Sequence, residues 1–328
     1  MTINWDRTLA KRIGWVLAAV VLLNVILSVW WSVEPDPIQP KVKKTTSGQL
    51  IVGYATTTSL IDTVNTLLDK PGGWISNDPL PPSVFMDNMP AFEFGALEQI
   101  RDLARSLRTD FSRSQSQSIE DKDLNEAQAK FNIDHTSWLI PRPETEYKDG
   151  VKHIEWYRAK ISDPNNPDAQ FYARADNLNE WLKQVQKRLG SLSQRLSASV
   201  ETERENTDLA GDSAATQTTP THETRIVKTS WWKIDDVFYE ARGSSWALLN
   251  FMRAIEVDFA DVLAKKNAQA SVRQIIRELE ATQQTVYSPM ILNGSGFGIL
   301  ANHSLVMANY ISRANAGIID LTHLLSQG

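Results

Sequence analysis

The run IGWVLAAVVLLNVILSVWWSV, Ile13–Val33, decides how the rest of the chain must be arranged. It holds 21 residues without Asp, Glu, Lys or Arg, and Asn24 is its one strongly polar side chain. As a helix it would be about 31 Å long, enough for a hydrocarbon core of about 30 Å. A helix packed in a soluble core rarely stays apolar on every face for that length. A cleavable signal peptide would have a shorter apolar region ending in small residues, whereas this one ends in Trp30-Trp31-Ser32-Val33. The segment therefore reads as an uncleaved transmembrane anchor.

Orientation follows from the flanking charges. Arg7, Lys11 and Arg12 precede the run, and Glu34 and Asp36 follow it. Cations on the short side favour keeping residues 1–12 in the cytoplasm, while Lys41, Lys43 and Lys44 further out oppose this. The abutting charges decide the expectation: a single-pass inner (plasma) membrane protein with its C-terminal region periplasmic. Trp30-Trp31 would lie in the interfacial aromatic belt.

The chain of 328 residues has 34 Lys+Arg against 39 Asp+Glu, a net charge of −5. This balance argues against nucleic acid as a partner and against a polybasic grip on anionic lipid. Cysteine is absent, which excludes disulfides, thiolate metal sites and a cysteine nucleophile.

Beyond the anchor the pattern is mainly α, a multi-helix soluble region with long loops. Residues 34–48, with Pro35, Pro37 and Pro40, read as a spacer leading away from the membrane. A helical lobe is expected over 49–202. Helical spacing begins at Ser59 and stops at Pro71-Gly72-Gly73, with Thr56-Thr57-Thr58 read as a break before it. Residues 74–90 carry four prolines and read as a loop whose apolar residues must pack on something. Helices are expected over 91–114, 123–133 and 144–162. Another, N-capped by Asp176, runs to about Glu201 with the seam Leu178, Leu182, Val185, Leu189, Leu192 and Leu196. Gly190 and the lack of complementary flanking charges favour an antiparallel partner within the chain. Residues 203–223 contain Leu209 as their one large apolar residue and read as a disordered linker. A second helical lobe, 224–328, follows, with helices over 234–265, 268–283 and 300–325.

Chemistry-bearing patterns are sparse. His135, His153, His222, His303 and His323 form no HxxH or HExxH motif, so no metal-ligand set is assigned. Ser230-Trp231-Trp232-Lys233 matches S-x-x-K, but S-D-N and K-T-G companions are missing. Gly294, Gly296 and Gly298 precede a helix without a following G-K-[ST] or a preceding strand, and read as a corner where helices pack closely. Arg101, Arg105 and Arg108 share a helix side, read as a solvated face with local ion pairs. The group Glu256, Asp258 and Asp261 reads in the same way. Residues 281–312 carry no charged side chain, either as deep core or as an apolar surface for a partner. No catalytic, cofactor-binding or metal residue is assigned from the sequence.

The stretches LLDKPGGWISNDPLPP (67–82), EFGALEQIRDLARSLRTDFSRSQSQS (93–118) and IRELEATQQTVYSPMILNGSGFGILANHSLVMANYISRANAGIIDL (276–321) resemble a proteobacterial family of single-pass inner-membrane proteins catalogued as a domain of unknown function. The resemblance implies a Gram-negative source and an inner-membrane location, and it carries over no functional residues. The expected function is a membrane-tethered, periplasm-facing helical scaffold or interaction protein with an envelope protein partner. An envelope hydrolase with a dispersed site, and a helical lipid- or ligand-binding domain, are the alternatives.

Overall fold

The structure, a computed structural model, describes residues 7–113, 120–166, 169–204, 225–288 and 290–327. The chain is mainly α. Helix α1, Arg7–Trp31, meets the rest through Trp31 at its C-terminal end, and none of its described side chains is buried. The bundle follows as α2 (Tyr54–Asp69), α3 (Asn88–Ser106, extended by a π turn over Leu107–Phe111), α4 (Lys122–Phe131), α5 (Pro143–Ser162) and α6 (Ala175–Ser197). It continues with α7 (Ile234–Asp258), α8 (Ala260–Lys265), α9 (Gln269–Ala281) and α10 (His303–Ser326). A short antiparallel pair, β1 (Thr202–Arg204) and β2 (Arg225–Val227), frames a segment of which 205–224 lies outside the described residues. Most of the stretch expected as a linker falls there.

Helix α7 is the central post. Helix α3 crosses it running the same way, with Gly95 against Gly243 and Phe111 stacked on Phe259 at 5.4 Å. The approach is so close that a Cβ on Gly95 would sit 1.9 Å from the Glu240 carbonyl oxygen, and one on Gly243 2.0 Å from that of Phe92. Helix α2 runs antiparallel to α7, with Ser59 Oγ donating to the Asn250 carbonyl and Thr56 bonded to Asp258. The two stretches expected as separate lobes thus share one hydrophobic core, which includes Leu60, Phe92, Leu103, Trp181, Trp246, Phe251, Ile275 and Ile311. The apolar seam of α6 is buried throughout and faces α10 running antiparallel, as Ser193 on the Ala308 carbonyl shows.

Several expectations change at this level. Helix α2 begins at Tyr54, five residues before the apolar spacing starts, because Thr56, Thr57 and Thr58 are buried. Asp176 lies inside the first turn of α6 and pairs with Arg174, which occupies the N-cap, and the helix ends at Ser197. Asp258 is buried at the N-terminus of α2 and is no part of a solvated face.

Residues 34–41 lead back along the bundle instead of away from it. Glu34 pairs with Arg242, the Trp246 indole donates to the Asp36 carbonyl, the Ile38 amide donates to Asn250 Oδ1, and Arg253 donates to the Ile38 carbonyl. Pro35, Pro37 and Pro40 have no amide hydrogen to satisfy, so an extended strap can lie on a helix without a sheet partner. Lys41 then meets Asp62 of α2 at 2.7 Å.

Helix directions collect the loops at two ends. The C-termini of α2, α4, α6 and α9 and the N-termini of α3, α5, α7 and α10 meet at the end where α1 leaves the bundle. Pairs that fix these directions include Lys130–Glu146, Arg195–Glu240, Arg242 with the Thr282 carbonyl, and Arg313–Glu278.

Candidate functional site

The end of the bundle next to α1 holds two of the chain's buried charged ties. Arg242 is its hub. The guanidinium Nε donates to Glu34 at 2.6 Å, Nη1 to the carbonyls of Thr282 (3.0 Å) and Gln284 (2.8 Å), and Nη2 to that of Gln283 (3.3 Å). One planar fork thereby joins the exit of α1 to three successive carbonyls of the turn that follows α9. Tyr239 beside it is pushed up by burial first and by the Glu34 charge second.

A second tie holds the loop after α2. Glu93 of α3 is fully buried, pairs with Lys70 at 2.7 Å, and accepts from the amides of Ile75 and Ser76 and the hydroxyl of Ser76. Trp74 and Asn77 of the same loop donate to the carbonyls of His135 and Ser137. The loops 70–87 and 132–142 therefore form one layer, and a Cβ on Gly72 would lie 2.7 Å from the Trp31 indole.

Two cavities open at this end. The first, about 330 Å³, is lined by Phe238, Val286, Tyr287, Val306, Met307 and Tyr310, with Arg242, Ser288 and His303 among its polar members. Asn302 N-caps α10 on the Leu305 amide, and His303 Nδ1 accepts from the Leu292 amide, which ties that side of the imidazole to its own loop. The second, about 520 Å³, runs under loop 76–87 and gathers Asp78, Asp87, Asp236 and Glu240 beside His135. Asp236 is pushed up by burial and then by Asp87 and Asp235, while burial holds His135 down.

The sequence candidates are scattered. His153 bonds Asp123 at 3.0 Å and meets Trp156 edge-on, and His135 stacks on Phe94. His222 lies outside the described residues. Ser230 and Lys233 flank a short 3-10 turn, Trp231–Lys233, with both residues exposed and joined through the backbone. Arg101 caps α4 by donating to the Phe131 and Ile133 carbonyls, and Arg108 reaches Glu120 and Asn125. Among the described residues, no three His, Asp or Glu side chains gather as metal ligands. Gly294–Gly298 is no helix–helix corner: it belongs to an exposed loop where Gly294 abuts the Leu300 carbonyl. The uncharged stretch 281–312 divides. Met307, Ala308 and Ile311 enter the core, whereas Phe297, Ile299, Leu300 and Val306 are exposed, so each of the two readings of the stretch holds for a part of it.

Sequence reasoning missed the Arg242, Glu93 and Asp258 ties. A charged residue inside an otherwise small and apolar helical run, as in Ala241-Arg242-Gly243-Ser244-Ser245, was the available signal.

These features define a class: an α-helical bundle carrying a long apolar N-terminal helix. The chain belongs to the bacterial family DUF2333, described as an uncharacterized protein conserved in bacteria, whose match spans residues 4–328. No curated protein and no solved structure matches the chain.

Proposed function

We propose that the chain is a single-pass membrane protein whose bundle faces the periplasm and serves as a tethered scaffold or interaction module for an envelope protein. The observation that carries this reading is the joint between α1 and the bundle. Thr8–Trp31 reaches a mean hydropathy of 2.3 and is nowhere buried, so apart from Trp31, which rests on Gly72, its apolar surface has no partner among the described residues. A lipid core supplies one. At Glu34 the chain is then gripped by Arg242, and the strap 34–41 is fastened to α7 by three further hydrogen bonds and to α2 by the Lys41–Asp62 pair. A flexible tether would let the bundle tumble; this joint fixes one orientation relative to α1, which is what a scaffold requires.

The test is carbonate extraction followed by crosslinking in cells. The chain should stay in the membrane pellet, and a photoreactive residue at the exposed positions Lys183 or Ser191 of α6 should yield discrete protein adducts. Release into the carbonate supernatant would refute the anchor, and lack of adducts around the whole bundle would refute the scaffold. A ligand-binding reading draws support from the 330 Å³ apolar cavity beside α10. Lipid co-purifying with the chain, and lost on Met307→Trp, would favour it.

A further inference from the structure

We propose that the loop-bearing end of the bundle is itself a lipid-contacting surface, seated in the interfacial zone of the bilayer that α1 crosses. This inference rests on the reading of α1 as a membrane span.

The exposed large apolar side chains are sorted by end. Outside α1 and Val33, and among the described residues, those away from this end are Val42, Leu50, Val52 and Trp156. All the others lie on the loops 70–87, 132–142, 228–233 and 282–302 or on the first turn of α10. Phe85 (78 %), Ile140 (93 %), Tyr287 (94 %), Phe297 (110 %) and Ile299 (104 %) project most or all of their surface from three different loops, with Trp232 on a fourth. Scattered single apolar residues are ordinary on a soluble surface, but a set gathered from separate loops onto one end is not.

The occupant is fixed by continuity with α1. Trp31 closes that helix and rests on Gly72 of the first loop, while Glu34 reaches through Arg242 to the carbonyls that open the last. The end that holds these side chains is therefore the end from which the span leaves. Six of the fourteen are aromatic, Phe85, Trp138, Trp231, Trp232, Tyr287 and Phe297, and continue the belt begun by Trp30-Trp31. Charge also fits. Residues 281–312 carry no Asp, Glu, Lys or Arg, so the largest loop can enter the headgroup region without desolvating an ion. The chain's net charge of −5 and the lack of a basic cluster here make apolar insertion, not attraction to anionic lipid, the source of binding.

The absence of cysteine lets each position be labelled singly. The full-length chain, with a nitroxide on Phe85→Cys, Ile140→Cys or Phe297→Cys, is placed one copy per nanodisc of phosphatidylethanolamine and phosphatidylglycerol. Val52→Cys at the opposite end and Val25→Cys in α1 are the references. Collision with oxygen, relative to collision with a water-soluble nickel chelate, should be several-fold higher at the three loop positions than at Val52→Cys. Loop values equal to Val52→Cys with a high value at Val25→Cys would overturn the proposal and leave the anchor standing. A low value at Val25→Cys would overturn the anchor and the proposal together. Shielding of the loops from both reagents would show a protein cover and overturn the proposal as well.

Discussion

At the scale of single residues, the structure is held by a few buried charges that reach across long stretches of sequence. Arg242 is the most connected of these, since it serves Glu34 and three carbonyls at once. Arg242→Met leaves a carboxylate and three carbonyls of the turn after α9 without their donor, and should cost about 3–5 kcal/mol in denaturant unfolding. Arg242→Lys should lose much of this too, because an ammonium cannot fork to several acceptors in one plane. If both variants unfold like the parent, Arg242 is no structural hub. Asp258 offers a test by pH. Burial raises its carboxyl above the usual range, against the lowering effect of the bonds from Thr56 and the amides of Gly53 and Ala55. A raised folded value means the native state binds more protons than the unfolded one just above pH 4. The contribution of the group is therefore fully present below that pH and is lost as pH rises through the folded value. The stability difference between parent and Asp258→Asn should accordingly favour the parent more at pH 4.5 than at pH 7. A difference independent of pH would show that Asp258 is not perturbed.

At the scale of elements, close packing and one irregular segment decide the arrangement. Gly95 and Gly243 let α3 and α7 touch backbone to backbone, and an alanine at either position would overlap a carbonyl. Gly95→Ala or Gly243→Ala should cost about 1–3 kcal/mol or more by overpacking, read as a lower denaturant midpoint. Unchanged midpoints would mean the helices can separate freely. The strap makes a second expectation. A fragment starting at residue 34 should unfold at a clearly higher denaturant concentration than one starting at residue 45, which lacks the bonds to Arg242, Trp246, Asn250 and Asp62. Equal midpoints would return 34–44 to the status of a spacer. These two elements also mark what the sequence could and could not disclose. Apolar spacing placed α5, α6 and α9 within a few residues, since a helix that buries one face must repeat its apolar side chains at that period, whereas the single helix expected over 234–265 breaks at Phe259 into α7 and α8. The strap escaped because it binds through backbone atoms of Asp36 and Ile38, which leave no trace in residue type. Thr56-Thr57-Thr58 was read as a break because its true partners, Asp258 and the buried face of α7, lie some two hundred residues away.

At the scale of the whole molecule, the fold places an ion-paired flank and an end crowned by exposed apolar side chains on one bundle. The sequence disclosed the ingredients of that end, the uncharged run 281–312 and the apolar residues of 74–90, but not their assembly. Those loops touch no common sequence neighbour; they meet because α2, α4, α6 and α9 end where α3, α5, α7 and α10 begin. Which apolar residues face outward was also hidden, because Ile299 and Leu300 have the same composition whether they fill a core or crown a loop. The central claim is that α1 crosses a membrane with the bundle on the far side. The most direct measurement labels single cysteines in intact cells with a membrane-impermeant maleimide, comparing Thr2→Cys before the span with Ser191→Cys on the exposed flank of α6. With the outer membrane permeabilised, Ser191→Cys should react, and Thr2→Cys should react after the inner membrane is opened. Labelling of Thr2→Cys alone in intact cells, or of both positions equally, would contradict the account.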